Sequence, residues 1–318
     1  MGGTNVPRVA IVKGEDVDSM VSKAVSLLGG IEGFVRRGER AFIKPNVCGG
    51  VPGKAGTFTS TAVLSAAIKL VKRRTEKVAI GEADSSMYTA GMMLEETHVR
   101  DVGESLGCDV VNLSRGEMVQ VEVPKGYEMK AFMVHPRVAE ADRIISIPVM
   151  KTHSSTAVTL SMKNMLGVLP ERKKARYHPN LDHIISDVVA ALPPDLCIID
   201  ATVGLEGEGP FKGKPVKLDM IMAGDNAVSV DSCAVWIMGF EPRSVDHIRL
   251  AGDMGLGVID LDGIDVKGLR LEEARRAFER APVVKADRMV SRVSTHLGYW
   301  AIHRHYEQAV KSWRERRA

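Results

Sequence analysis

The sequence predicts an α/β protein of two lobes with mainly parallel sheets, a central cleft and a basic C-terminal helical tail. Three observations lead there. Apolar, strand-like runs alternate with segments of helical spacing along nearly the whole chain, the pattern of parallel strands joined by helices. At 318 residues the chain is long enough to bury a large core and to divide into lobes. Clusters of ionisable residues directly follow several of the apolar runs, where ligands sit in α/β folds. With no low-complexity linker, the lobe boundary is soft and is placed near Met150. Residues 1–150 form the N-terminal lobe, 151–282 a second lobe carrying the main site, and 283–318 the tail.

The elements follow in order. Arg8 to Gly14 is a short β-branched run, and Asp16 can cap the helix after it. Glu39 to Val47 is a second strand. Thr59 to Arg74 has helical spacing, a Ser/Thr start and a basic last turn. Lys77 to Asp84 is a third strand, followed by a helical stretch towards Gly107. The runs CDVVNLS and MVQVEVP are expected as strands of an antiparallel edge, since no helix separates them. Arg143 to Met150 is the next buried strand. Leu181 to Leu192 is a helix ended by Pro193-Pro194, and Asp195 to Val203 a strand. Lys217 to Gly224 is a strand, with Asp225 as the cap of the helix after it. A helical segment around Ser244 to Asp253, a strand at Gly263 to Gly268 and a helix ended by Pro282 complete the order.

Composition excludes several classes. Aromatic residues make up 5%, too few for a base-stacking platform, so no nucleic-acid partner is expected. No apolar run reaches membrane-spanning length and the N-terminus lacks an apolar signal core, so the chain reads as cytoplasmic, without a membrane partner. The net charge of +3 is nearly balanced. Much of the excess lies in the tail, at Lys285, Arg288, Arg292, Arg304, Lys311, Arg314, Arg316 and Arg317, which reads as a solvated amphipathic helix. The four cysteines, Cys48, Cys108, Cys197 and Cys233, are far apart with no CxxC pair. No intrinsic iron–sulfur cluster is therefore expected, and Cys197 and Cys233 read as buried small hydrophobes.

Four strand ends carry chemistry. After the second strand come Lys44-Pro45-Asn46 and a glycine-rich loop to Gly56, where an anion could meet backbone N–H groups with Lys44 or Lys54 as counter-charge. A surface loop with solvated lysines has the same composition. After the third come Glu82 and Asp84-Ser85-Ser86, able to hold a metal or a hydroxyl, or simply to cap a helix. After Met150 comes the densest run, Lys151 to His178. His153 and Lys163 suit proton transfer, because a lysine among Met162, Met165 and Leu166 is partly desolvated and its amine more basic-ready at neutral pH. Lys151, Arg172, Lys173 and Lys174 would attract a carboxylate or phosphate. After Asp200 comes Gly204 to Pro210, read as an exposed loop whose Glu206 and Glu208 face the cleft as acid/base or cation-binding groups.

Taken as an ordered set, these residues resemble the family catalogued as domain of unknown function 362. The motifs are Lys44-Pro45-Asn46, Lys151-x-His153, Lys163-Asn164-x-x-Gly167-x-x-Pro170, Tyr177-His178, Asp200 with the Gly204 to Pro210 loop, and Ala223-Gly224 with Asp231. Many members append a ferredoxin-like module with clustered cysteines; this sequence shows no such cluster, so a built-in electron-transfer role is not expected. The order His153, Lys163-x-x-x-Gly167-x-x-Pro170, His178 is also distantly similar to the nickel-pincer lactate racemases. That resemblance implies a cofactor-tethering lysine at Lys163, a metal ligand at His178 and a proton relay at His153. The Asp-His-Thr-Arg-Pro stretch of those enzymes is absent, and Lys44-Pro45-Asn46 stands near its place.

The expected function is an enzyme, isomerase- or racemase-like, acting on a small anionic substrate by lysine/histidine proton transfer. Lys163, His153, Glu206 and Glu208 form the reacting set. Lys44, Asn46, Lys151, Asn164, Gly167 and Tyr177 bind substrate or cofactor, and a divalent metal would sit at His178 and Asp200. Two alternatives stay open: a non-catalytic carrier of a phosphorylated cofactor or metal, and a redox protein served by a separate ferredoxin. The sequence is also compatible with a homo-oligomer.

Overall fold

The computed structural model describes residues 6–47 and 53–282. The basic tail lies outside the described residues, as do Cys48 and the first part of the glycine-rich loop.

The N-terminal half alternates as its periodicity requires. β1 (Arg8–Lys13) leads to α1 (Val17–Leu27), whose first turn is capped by Asp16. β2 (Ala41–Pro45) is followed by α2 (Thr61–Lys72), capped by Ser60, and then by β3 (Val78–Glu82). The helical stretch after it divides into α3 (Ala90–Glu96) and α4 (Val99–Ser105) at His98, which has a left-handed backbone. β4 (Asp109–Asn112) follows. The two runs expected to pair as an antiparallel edge do not. β4 joins β3 in parallel, while β5 (Val119–Glu122) pairs with β6 (Ala131–Val134) in a separate two-stranded sheet. Each run pairs with its other sequence neighbour, β3 for the first and β6 for the second, and not with the other run.

A short α5 (Pro136–Ala139) precedes β7 (Arg143–Ile147), β8 (Val149–His153) and β9 (Ala157–Val158). Then come α6 (Leu160–Met165), two 3₁₀ segments at Leu166–Val168 and Lys174–Asn180, and α7 (Leu181–Ala191). β10 (Leu196–Glu206) and β11 (Lys214–Gly224) form a long antiparallel pair. α8 (Ala227–Ile237), α9 (Asp246–Asp253), β12 (Asp265–Gly268) and α10 (Leu271–Ala274) complete the described chain. The cap of α8 is Asn226 rather than Asp225, which instead pairs with Arg8 at 2.7 Å. The last expected helix stops after four residues.

One ten-stranded sheet holds these elements, in the order β12-β1-β11-β10-β7-β2-β3-β4, with β8 beside β10 and β9 beside β8. Along this path every strand except β11 points the same way. The sheet crosses the boundary expected near Met150 without a break, since β1 lies between β11 and β12. Strand residues alternate strictly between two cores. Val9, Phe42, Ile144, Cys197, Ile199 and Met222 face the side covered by α6 to α9, while Ala10, Ile43, Ile145, Ile198 and Ile221 face α1 to α4. Cys197 and Cys233 are both fully buried.

This topology fixes the location of a site. From β2 the chain steps one way to β3 and β4, and it later returns on the other side of β2 as β7 and β10. The reversal between β2 and β7 is a topological switch point, and the crevice beyond the carboxyl ends of those strands is open.

Over that crevice lies α6, only six residues long. Its start is strained, with Leu160 at φ 47°, and no side chain of its own caps it. The buried carboxylate of Asp231 on α8 does so instead, accepting from Ser161 N and Met162 N, both at 2.8 Å. Asp231→Ala leaves two buried donors unpaired and should lower stability by roughly 2–4 kcal/mol. Denaturant melts would show it as a lower midpoint. An unchanged midpoint would mean that α6 holds without this cap.

Candidate active site

The crevice holds a cavity of about 330 Å³. Strand ends supply Asn46 after β2, Glu82 on β3, and Lys151 and His153 on β8. Lys163, Asn164 and Gly167 come from α6 and the turn after it, and Lys174 and His178 from the second 3₁₀ segment. Of the residues expected from sequence, the structure thus brings together Lys163, His153, His178, Lys151, Asn46, Asn164 and Gly167.

Lys163 is the centre. Among the described residues its ammonium has no hydrogen-bond or ion-pair partner. Desolvation, and then the charge of Lys174, push its pKa down to about 8, against an opposing pull from Glu82. Lys151 is fully buried and donates to Thr57 O. Burial, followed by the charge of Lys163, pushes it down to about 7. His153 accepts a hydrogen bond at Nδ1 from Ser155 N, 3.1 Å away. In the neutral ring this places the proton on Nε2. Burial first, then Lys163 and Lys151, hold His153 well below its ordinary pKa. The ring is therefore a neutral donor at neutral pH, beside an amine that loses its proton readily.

The binding residues divide. Asn164 lines the cavity but its Nδ2 is committed to Lys44 O at 2.8 Å and Ser146 Oγ at 3.0 Å, so it braces α6 against β2 and β7. Lys44 does not line the cavity: it lies beneath it, bonded to Glu82 at 2.8 Å and to Pro45 O at 2.6 Å. Lys54, the other expected counter-charge, donates to Phe211 O. Tyr177 is buried outside the lining, and its hydroxyl accepts from Arg176 at 2.8 Å. Its pKa is pushed up to about 12 by burial, so it stays a neutral phenol.

The acidic wall is not found at the cavity. Gly204 to Glu206 continue β10 and are largely buried, because their glycines serve close backbone packing rather than a loop. A Cβ on Gly204 would sit 2.8 Å from Met150 O, and one on Gly209 only 2.0 Å from Thr152 O. Glu206 accepts from Glu279 N, and Glu208 is exposed. Neither lines the cavity. That wall is instead Pro210 and Phe211, with Leu166, Leu181 and Met87 adding further apolar surface. Asp200 is likewise engaged elsewhere, accepting from Ser60 N at the start of α2 and from Thr202. Among the described residues no three His, Cys, Asp or Glu side chains gather as a metal-binding group.

The cavity's own carboxylate is Glu82, weighed in the sequence only as a metal or hydroxyl ligand or part of a capping segment. Ser85 and Ser86 from the same strand end also line the cavity. A strand-end acid near the switch point that also holds Lys163 was the available signal.

Three comparisons with known proteins show what the chain is similar to. A thylakoid-associated protein of Synechocystis sp. is 24% identical over 237 residues, covering 72% of each chain. Among solved structures, the lactate racemase apoprotein from Thermoanaerobacterium thermosaccharolyticum matches with 12% identity and a TM-score of 0.43. That match covers 63% of this chain and about half, 51%, of the other. The profile of the domain of unknown function DUF362 matches residues 42–236, a span that holds every residue of the cavity. The chain belongs to the DUF362 family.

Proposed function

We propose that the protein is an enzyme that moves a proton on a small anionic molecule, in the manner of an isomerase or racemase. The observation that supports this reading is Lys163: a half-buried, desolvated amine with no partner among the described residues, in a cavity with a neutral histidine. A structural lysine is ordinarily solvated or paired, and an unpaired one out of water costs stability. Here it supplies a base usable near neutral pH.

The roles follow from the protonation states. Lys151 and Lys174 attract the anionic group, and an anion beside Lys151 favours its ammonium form. Lys163, as the free amine, takes a proton from the carbon next to that group. His153, with its proton on Nε2, donates a hydrogen bond to the oxygen where negative charge builds up. The apolar wall of Leu166, Leu181, Pro210 and Phe211 keeps water away and strengthens these interactions.

A divalent metal at His178 and Asp200 does not fit this arrangement, because Asp200 is committed to α2 and to Thr202; no step is routed through it. For a tethered pincer, Lys163 and His178 share the cavity and are the residues that would hold it. Such a group would bring the metal, and intact mass of the purified protein would show it as an adduct on Lys163.

Incubating the protein in D₂O with a panel of hydroxy, oxo and amino acids should introduce deuterium beside the carboxylate of the true substrate, read by proton NMR. Lys163→Met should abolish exchange, and His153→Gln should slow it by about 10²–10³. Full exchange by both variants would sink the proposal. The active form of Lys163 is unprotonated, so the wild-type rate should rise with pH through about 8 and level off above it. A rate flat or falling between pH 7 and 9 would contradict the assignment.

Stability should move the opposite way to activity. Lys163→Met removes a desolvated amine and should stabilise the fold at pH 7 by about 1–3 kcal/mol. The folded protein holds Lys163 below its unfolded pKa, so it binds fewer protons than the unfolded chain between about 8 and the ordinary lysine value. Wild-type stability therefore rises with pH across that window, and the advantage of the variant should shrink there. Thermal melts at pH 7 and pH 10 would check both signs.

A further inference from the structure

The buried pair Lys44–Glu82 has no place in the proton-transfer scheme, yet one member, Glu82, lines the cavity and the other lies beneath it. Glu82 is 2% exposed and Lys44 not at all. One oxygen of Glu82 accepts from Lys44 Nζ at 2.8 Å and from Val47 N at 3.3 Å, and the other from Ala83 N at 3.1 Å. Lys44 is held further by its bond to Pro45 O. Neither side chain can swing without breaking buried bonds.

Gly167 lies directly over the pair. A Cβ there would sit 2.3 Å from Glu82 Oε1 and 2.7 Å from Lys44 Nζ. Its φ is not positive, so what the position demands is space rather than a special backbone conformation. The turn is clamped down by Ala83 N donating to Gly167 O at 3.1 Å. The missing side chain thus lets the carboxylate face the cavity while α6 closes over it.

The charge count gives this carboxylate its meaning. Lys151, Lys163 and Lys174 line the cavity with His153 and His178, and Lys44 lies just below. Among the described residues Glu82 is the only acid in that lining, and Asp182 at the start of α7 is another acid felt by Lys163. We propose that Glu82, fixed by Lys44 and uncovered by Gly167, is a positioning residue that sets the protonation of Lys163. This rests on the reading of Lys163 as the reacting amine. Glu82 favours the ammonium form against its cationic neighbours, and so keeps the amine from being permanently neutral.

The test reads Lys163 directly and needs no substrate. Trace acetylation with acetic anhydride reacts only with the free amine. The Lys163 peptide, quantified by mass spectrometry across pH against a denatured reference, gives the titration midpoint of this residue. Glu82→Gln keeps the shape and removes the charge, so the midpoint should fall by about one pH unit. The double variant Lys44→Met with Glu82→Gln removes both charges of the pair, so neither is left buried without the other, and it serves if the single variant does not fold. It should also shift the midpoint downward, by less, because a repelling cation leaves together with the attracting carboxylate. A merely structural role predicts the reverse: a loosened cavity admits water and moves the midpoint up towards an ordinary lysine. An unchanged or raised midpoint in a folded variant overturns the proposal. Because no turnover is measured, failure here is separable from failure of the proton-transfer reading, which the deuterium exchange decides.

Discussion

The site depends on how one fold keeps several amines out of water within a small volume. Each lysine is accommodated differently. Lys44 has a carboxylate and a carbonyl, Lys151 a carbonyl, and Lys163 no hydrogen-bond or ion-pair partner among the described residues. The Lys44–Glu82 pair makes this gradient tenable. A buried ion pair adds little net stability when intact, but its loss leaves an uncompensated charge at large cost. It therefore acts as a fixed point. The strand ends of β2 and β3 cannot separate without breaking it, and those ends define one side of the crevice.

How far this was legible in the sequence depends on whether a feature is local. Strands and most helices were readable because apolar alternation and caps such as Asp16 and Ser60 lie within one segment. The switch-point location was readable from the polar runs after strands, and Lys163, His153 and His178 do meet there. Partner choice was not. Nothing in CDVVNLS or MVQVEVP says that one pairs with β3 and the other with β6. Asp231 as the cap of α6 is invisible in the same way, since the two are 70 residues apart.

The glycines around Glu206 and Glu208 show a subtler failure. Glycine in a polar run reads as a flexible loop, but glycine also permits two backbones to touch. Gly204 lies against the carbonyl of Met150 and Gly209 against that of Thr152, so the same residues join β10 to β8 and turn the glutamates away. Composition cannot separate the two uses. Gly167 is the contrasting case: the residue was singled out from sequence, but its role as the gap above a buried ion pair needed coordinates.

The placement of α6 connects these points to function. An amine left unpartnered cannot help hold the helix that carries it, so other groups must fix that helix. Three sets do so. Asp231 anchors the first turn, Asn164 ties the middle to β2 and β7, and Ala83 holds the turn that follows through Gly167 O. None of them involves Lys163. The helix is thereby held from its start, its middle and its end while the amine stays available, which separates the geometry of the site from its reactivity. A side chain placed this way can be desolvated strongly without the helix shifting to relieve it, because any such shift would break several buried hydrogen bonds at about 1 kcal/mol or more each. The strain of an amine without a partner among the described residues then has two outlets, the binding of an anion and the loss of a proton, and each is a step of the proposed reaction.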